Sequence, residues 1–157
     1  MATPVQRWQL ERLDGLCARD VHDILTLRSA VFVVEQHCVF QDPDKADYQS
    51  WHLLGRDRTD ALVAYLRIVD PGAKYSEVSI GRVVTDAAIR RSGCGIALMQ
   101  EGIARAQRLW PQQAIRIGAQ WRLTDFYRRF GFENTGEIYI EDGIRHIEMM
   151  RAPPEVA

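Results

Sequence analysis

The stretch from Val78 to Ala119 constrains the fold more than any other. VSIGRVVT (78–85) is rich in β-branched residues and reads as a strand. After a short polar connection, Ile96, Met99, Ile103, Ala106 and Trp110 recur at helical spacing and form one apolar face. Pro111 stops that helix, because the residue before a proline is pushed out of the helical region. AIRIGA (114–119) then reads as a second strand. A strand, a helix and a strand joined in this way make a parallel pair with a right-handed crossover. Gly81 lies inside the first strand, where glycine often marks a bulge or a close backbone approach.

The remaining segments build around that unit. Trp8 and Leu10 alternate with polar neighbours, which suggests a first strand. Asp20 suits a helix N-cap, and Val21, Ile24, Leu25, Arg28, Val31 and Phe32 follow at helical spacing. VFVV (31–34) is β-branched, so the pattern leaves the end of this helix open. EQHCVFQDPDKADYQS (35–50) is polar and interrupted by Pro43, a loop or short helix longer than most connections; ordered loops of that length are often functional. WHLLGR and ALVAYLRIV read as strands joined by a DRTD turn. Leu123, Phe126, Tyr127 and Phe130 form one side of a short helix over 124–130. IYIEDGIRHIEMM reads as a hairpin with Asp142-Gly143 as its tight turn. The expected class is α/β (α+β): a mixed, mostly antiparallel sheet of six to seven strands flanked by helices, in one domain over 1–157 with a frayed tail at 152–157.

Composition narrows the function. Of 157 residues, 46% are hydrophobic and 26% charged, the balance of a chain with a core. A formal net charge of -1 argues against a nucleic-acid partner. The three cysteines are odd in number and lack metal spacing, so reduced thiols are expected rather than a disulfide framework. No secretory leader and no apolar run of about 20 residues is visible, and a cytoplasmic protein without a membrane partner is the expectation.

The connection Arg90-Arg91-Ser92-Gly93-Cys94-Gly95, running into Ile96 and Ala97, has the chemistry of an anion site. Free N–H groups at a helix start and the helix dipole attract phosphate, and glycines allow close approach. Those residues alone leave a plain turn equally open. A P-loop lacks its GxxxxGK[ST] run, and a dinucleotide site lacks its GxGxxG with a later acidic residue.

Arg90-x-x-Gly93-x-Gly95, placed after VVT and opening a helix, resembles the acetyl-CoA loop of the GNAT superfamily of N-acetyltransferases. Gln120 and Tyr127, followed by Phe130-Gly131-Phe132, resemble a second signature of that family, with Gln120 where asparagine is usual and Phe126 at a leucine position. LRSAVFVVEQ, QDPDKAD, WHLLG, IGRVVT, GAQ, FYRRFGF and EDGIRH, in that order, are similar to the ElaA-like subgroup.

The resemblance implies direct acetyl transfer from acetyl-CoA, the acyl-donor cosubstrate, to an amine of a small molecule or peptide, without a metal. It implies that N–H groups from Arg91 through Ser92, Gly93, Cys94, Gly95, Ile96 and Ala97 cradle the pyrophosphate, with Arg90 and Arg91 as charge partners. Main-chain groups of Val83, Val84 and Thr85 would meet the pantetheine arm, which requires the sheet to splay between 78–85 and 114–119, with Gly81 supplying a bulge. An N–H near Val83 would polarise the thioester carbonyl. Gln120 and Tyr127 would face the cofactor, with Tyr127 as the acid for the leaving thiolate; its bland alternative is an apolar contact of its helix. Glu35, His52, Glu77 and His146 are candidate bases, with Glu35 slightly favoured. His52 is equally a hydrogen-bonded strand histidine, and His146 equally an exposed cross-strand residue. Glu35 and Gln36 would border the substrate cleft. Arg82 would bind a substrate carboxylate or pair with an acidic neighbour. Asp42, Asp44 and Asp47 lack the EF-hand pattern and are expected to form a solvated loop that selects a cationic substrate. Cys94 is read as a packing residue. Domains of this kind often pair, so a homodimer is a further expectation. Two alternatives remain: an acyl-homoserine-lactone synthase, with which the Arg28 to Phe32 pattern is shared, and a non-catalytic CoA-binding or sensing module.

Overall fold

A computed structural model describes residues 3–156. Its core is one seven-stranded sheet of order β1-β2-β3-β4-β5-β7-β6. The strands are β1 (Arg7–Arg12), β2 (Ser50–Arg56), β3 (Leu62–Val69), β4 (Val78–Thr85), β5 (Ile115–Gln120), β6 (Phe132–Glu141) and β7 (Ile144–Arg151). Neighbouring strands are antiparallel except β4 and β5, the parallel pair that the crossover demanded. The helix inside that crossover, α2 (Cys94–Leu109), ends at the Trp110 cap, directly before Pro111.

Two apolar clusters sandwich the sheet. Leu98, Met99, Ile103 and Ala106 of α2 and Tyr127 of α3 (Thr124–Arg128) pack on one face with Val63, Leu66, Ile68 and Ile117. Ile24, Leu27 and Val31 pack on the other against Leu54, Leu62, Tyr65 and Val84. β3 is buried at every position, which explains why its sequence is a nearly unbroken apolar run rather than an alternation.

The first helix, α1 (Ala18–Arg28), starts three residues earlier than its pattern suggested. Cys17 is the N-cap, and the Asp20 carboxylate sits at the third position, accepting from the Cys17 N–H at 3.4 Å in a capping box. The ambiguous VFVV stretch continues α1 as a π-helix, Ser29–Glu35. Such wide turns place side chains where a regular helix would not, and they concentrate at functional sites. The hairpin turn falls at Asp142-Gly143, both at positive φ (51° and 77°), the geometry of a two-residue hairpin turn.

The parallel pairing of β4 with β5 is short. It is registered only at Val78↔Ile115 and Ser79↔Arg116, after which the strands separate. On its other side β4 carries a bulge: two residue steps on β3, Tyr65 to Arg67, face three on β4, Val84 to Gly81. The left-handed residue is Arg82, with φ 51°, and not Gly81. A non-glycine residue is held in that conformation only by strong surroundings. Here they are carboxylates: Arg82 Nε lies 2.9 Å from Asp42 Oδ1, and Nη2 lies 3.3 Å from Asp44 Oδ2. Among the described residues no helix is long and apolar enough to cross a membrane.

Candidate active site

The parting of β4 from β5 opens a cleft of about 390 Å³ that runs past the end of α2, the π-helix and the β6–β7 hairpin. Its two ends differ in chemistry.

One end is made of main chain and apolar walls. Val83, Val84, Thr85, Gly95, Phe126 and Tyr127 line it. Past Ser79 the β4 edge facing the cleft has no strand partner, so its backbone groups are available to an extended ligand. Gly93 caps α2 at φ 82°, and a methyl group there would meet no atom within 4 Å. That pairing of left-handed backbone with open space is a cradle in front of a helix N-terminus. Ala97 already donates to the Gly93 carbonyl at 3.1 Å, so the free donors lie before it. Cys94 is buried beneath, and burial pushes its thiol up, away from a reactive thiolate. Tyr127 is nearly buried, and desolvation pushes its phenol up to about 12.

Arg90 and Glu35 stand at the rim of this end and bind each other in a bidentate pair at 2.6 and 2.8 Å. That hydrogen bond holds the Glu35 carboxyl below the usual range, which makes it a weaker proton acceptor. Gln36 faces Gln120 across the cleft, its Oε1 accepting from Gln120 Nε2 at 3.3 Å. The next residues cross to the hairpin, where Cys38 Sγ donates to the Asp142 carbonyl at 3.5 Å.

The other end is made of charged side chains. Gln120, His146 and Tyr139 are register partners across β5, β7 and β6, so all three point to the face that α2 leaves free. His146 Nδ1 lies 2.8 Å from the Ile144 carbonyl, which can only accept. A proton therefore sits on Nδ1, and in the neutral ring the lone pair is on Nε2. That Nε2 is 3.6 Å from Glu141 Oε2, and the ring stacks on Tyr139 at 5.7 Å. The glycine of the GAQ segment makes room for this: a methyl group on Gly118 would come within 2.5 Å of the Tyr139 hydroxyl.

Behind this end lies a buried ionic network. Arg28 binds Asp42 at 2.7 Å and Asp47 at 2.8 Å; Arg67 binds Asp44 at 2.6 Å and Asp47 at 2.8 Å; Arg82 binds Asp42 and Asp44. Asp42, Asp44 and Asp47 thus do not form the solvated, cation-selecting loop expected of them. Three arginines neutralise three aspartates and pin the 42–47 segment under the β4 bulge. Desolvation opposes the ionised form of Asp47, but the bonds from Arg28 and then Arg67 win and hold it at about 2. His52 belongs to the same interior. Its Nδ1 meets Tyr65 Oη at 2.7 Å and its Nε2 meets the Asp47 carbonyl at 3.0 Å. Both nitrogens are engaged, burial lowers its proton affinity, and it does not line the cleft. Glu77 also stands off the cleft, clamped by Arg116 at 2.9 Å through each oxygen and held at about 2.

The cleft therefore gathers Glu35, Gln36, Arg82, Val83, Val84, Thr85, Arg90, Gly95, Gln120, Tyr127 and His146. Arg91, Ser92, Gly93, Cys94, Ile96 and Ala97 form the loop and helix start beside it. Arg28, Arg67, Lys74, Tyr139 and Glu141 escaped the sequence reading as site residues. For Glu141 the signal was present, since it immediately precedes the turn and is five residues from His146 in EDGIRH; for Arg28 and Arg67 nothing local distinguishes a network arginine from a surface one.

The site is thus a parallel pair prised open beside a glycine-capped helix, with an aromatic hydroxyl on one wall. Comparison with known proteins gives the family. The model of the acetyltransferase (GNAT) domain matches residues 31–152. A UPF0039 protein of Synechocystis sp. is 43% identical over 148 residues, 94% of this chain and 96% of that protein. Protein ElaA of Escherichia coli is 40% identical over 146 residues, 92% of this chain and 95% of that protein. The ElaA crystal structure matches with a TM-score of 0.86 over 92% of this chain and 98% of that one. The crystal structure of an acyl-CoA N-acyltransferase from Pseudomonas aeruginosa matches with a TM-score of 0.88 at 39% identity, over 93% and 99%. The chain belongs to the GNAT acetyltransferase family, whose members use acyl-CoA as cosubstrate and act on amines.

Proposed function

We propose that this chain transfers an acetyl group from acetyl-CoA directly to an amine of a small molecule or peptide. The observation that supports this most is the cleft itself, which joins an unpaired β4 edge and a glycine-capped helix start to a buried phenol at one end and a free imidazole nitrogen at the other. The Gly93 cradle and the first N–H groups of α2 take the pyrophosphate, and the β4 backbone takes the pantetheine arm. An N–H at the bulge, near Val83, faces the thioester oxygen as negative charge develops on it. The acceptor nitrogen attacks the carbonyl carbon, and the C–S bond breaks. His146 Nε2 takes the proton that the amine loses, with Glu141 beside it to stabilise the imidazolium. Tyr127, kept protonated by burial, gives its proton to the departing thiolate. Geometry favours His146 over Glu35 and His52: His52 does not line the cleft, Glu35 is held by two short bonds from Arg90, and His146 Nε2 has only the longer 3.6 Å contact with Glu141.

Calorimetry with acetyl-CoA and an assay of released thiol test this reading. Wild-type protein that fails to bind acetyl-CoA would refute it. Tyr127→Phe should lower kcat about a hundredfold and leave acetyl-CoA affinity nearly unchanged; equal turnover in the variant removes Tyr127 as the acid.

A further inference from the structure

We propose that the amine accepted here also carries a carboxylate: the acceptor is an amino acid or a molecule of that kind, held by Lys74 through its carboxylate and by His146 and Glu141 at its nitrogen. This rests on the N-acetyltransferase reading and adds the chemical class of the acceptor.

The charges of the acceptor end decide it. The charges of Arg28, Arg67 and Arg82 are paired with aspartates, and that of Arg116 with Glu77 and Glu148. Lys74 lines the same cleft and makes no ion pair among the described residues. Its Nζ lies over the Tyr75 ring at 5.4 Å, and Glu141 and Asp44 act on it only from beyond ion-pair distance. Desolvation lowers its proton affinity; Glu141 and Asp44 oppose this and Arg67 and Arg82 add to it, and the net direction is down, so an anion in direct contact would relieve the site. Glu141 is the carboxylate nearest in kind, yet it turns toward His146 at 3.6 Å.

A second observation points the same way. Arg67 is 2% exposed, lines the cleft, and its Nε has no hydrogen-bond partner. Buried donors are rarely left so. In front of it stands Gly81, where a methyl group would come only to 4.0 Å from that Nε. The wall bearing Lys74 and Arg67 thus has donors in excess. The wall bearing His146 and Glu141 has two acceptors, an imidazole nitrogen and a carboxylate, 3.6 Å apart with no hydrogen-bond donor between them among the described residues. A neutral or purely cationic amine satisfies only the second wall; a zwitterion satisfies both. Phe40, half-exposed on the cleft lining, offers an apolar surface for the remainder of such a molecule.

The test compares acids with the amines left when their carboxylate is removed. The panel is the common amino acids against their decarboxylated counterparts, with phenylalanine and phenethylamine as the reference pair, and acetyl-CoA binding measured beside it. The expected result is a preference for the acid of roughly tenfold or more in kcat/KM, and a ratio that falls toward one in Lys74→Met. An equal or better rate with the decarboxylated amines overturns the proposal, as does a preference that survives Lys74→Met. Acetyl-CoA binding with no acid turned over also overturns it. Absence of acetyl-CoA binding would instead strike the transferase reading on which it stands.

Discussion

The two ends of the cleft are built on opposite principles. The end proposed for the donor uses main chain: an unpaired strand edge, a glycine cap and a helix start, all from one continuous stretch around residues 78–97. The acceptor end uses side chains brought from α1, the 42–47 segment, β3, β4 and the hairpin, most of them charged and most of them paired. Backbone recognition suits a ligand shared by a whole family, because it depends on the path of the chain and tolerates changes of side chain. Side-chain recognition suits a ligand that varies between relatives. The same division predicts that damage at one end should leave the other working.

The strongest way to break that division is to cut the ionic network. Arg67→Met leaves Asp44 and Asp47 short of a buried partner, and a change of this kind costs about 3–5 kcal/mol. Urea unfolding measures it; a loss below about 1 kcal/mol would mean the network is solvated in solution and not a buried frame. In the fraction that stays folded, acetyl-CoA should still bind. His146→Gln is the next largest. It keeps the strand pairing and removes the lone pair, so kcat should fall about a hundredfold while acetyl-CoA affinity holds. A fall of less than about threefold would place the base elsewhere.

The same contrast explains what the sequence disclosed. The donor end is contiguous, so helical spacing and Pro111 were enough to place its strand and helix; the Arg90-to-Gly95 loop as a cofactor site and the splay beside β4 came from the family resemblance, because the loop residues alone left a plain turn equally open. The acceptor end is not contiguous. Arg28 and Asp42 are 14 residues apart and Arg82 and Asp42 are 40 apart, so Asp42, Asp44 and Asp47 looked like a solvated run. The bulge was expected at Gly81 and does start there, between Gly81 and Val84; that the positive φ falls on Arg82, whose guanidinium two aspartates hold, is something no local pattern carries. His52 read equally as a candidate base and as a hydrogen-bonded strand histidine, and the second is what the structure holds. Only tertiary contact shows both nitrogens in use. VFVV was ambiguous because β-branched residues suit a strand, whereas burial of Val31 beside Ile24 and Leu27 keeps the segment helical.

At the donor end the effects should be smaller, since many weak main-chain contacts share the load. Gly93→Ala puts a side chain at φ 82°. Its strain is about 1 kcal/mol, and no neighbour obstructs the new methyl group, so the loss should come from the altered cradle. Acetyl-CoA affinity should weaken roughly fivefold, with little change in melting temperature. Unchanged affinity would show that the cofactor phosphates do not use this cap.

The smallest effect is the one that separates two roles for a single residue. Arg90 holds the position that a cofactor phosphate would attract, yet its guanidinium is occupied by Glu35, and both side chains are about two-fifths exposed (41% and 42%). If Glu35 acts as a gate on that arginine, Glu35→Gln frees a positive charge and removes a negative one beside the pyrophosphate. Affinity for acetyl-CoA should then rise by about two- to fivefold, the scale of an exposed ion pair, and the gain should shrink as salt is added because the pair is screened. If Glu35 is instead the base that deprotonates the amine, the same variant loses turnover about a hundredfold without a matching gain in affinity. Arg90 favours the first outcome, because it stabilises the carboxylate and so makes it a poor acceptor of protons. One substitution, followed by calorimetry at two salt concentrations and by thiol release, decides between them.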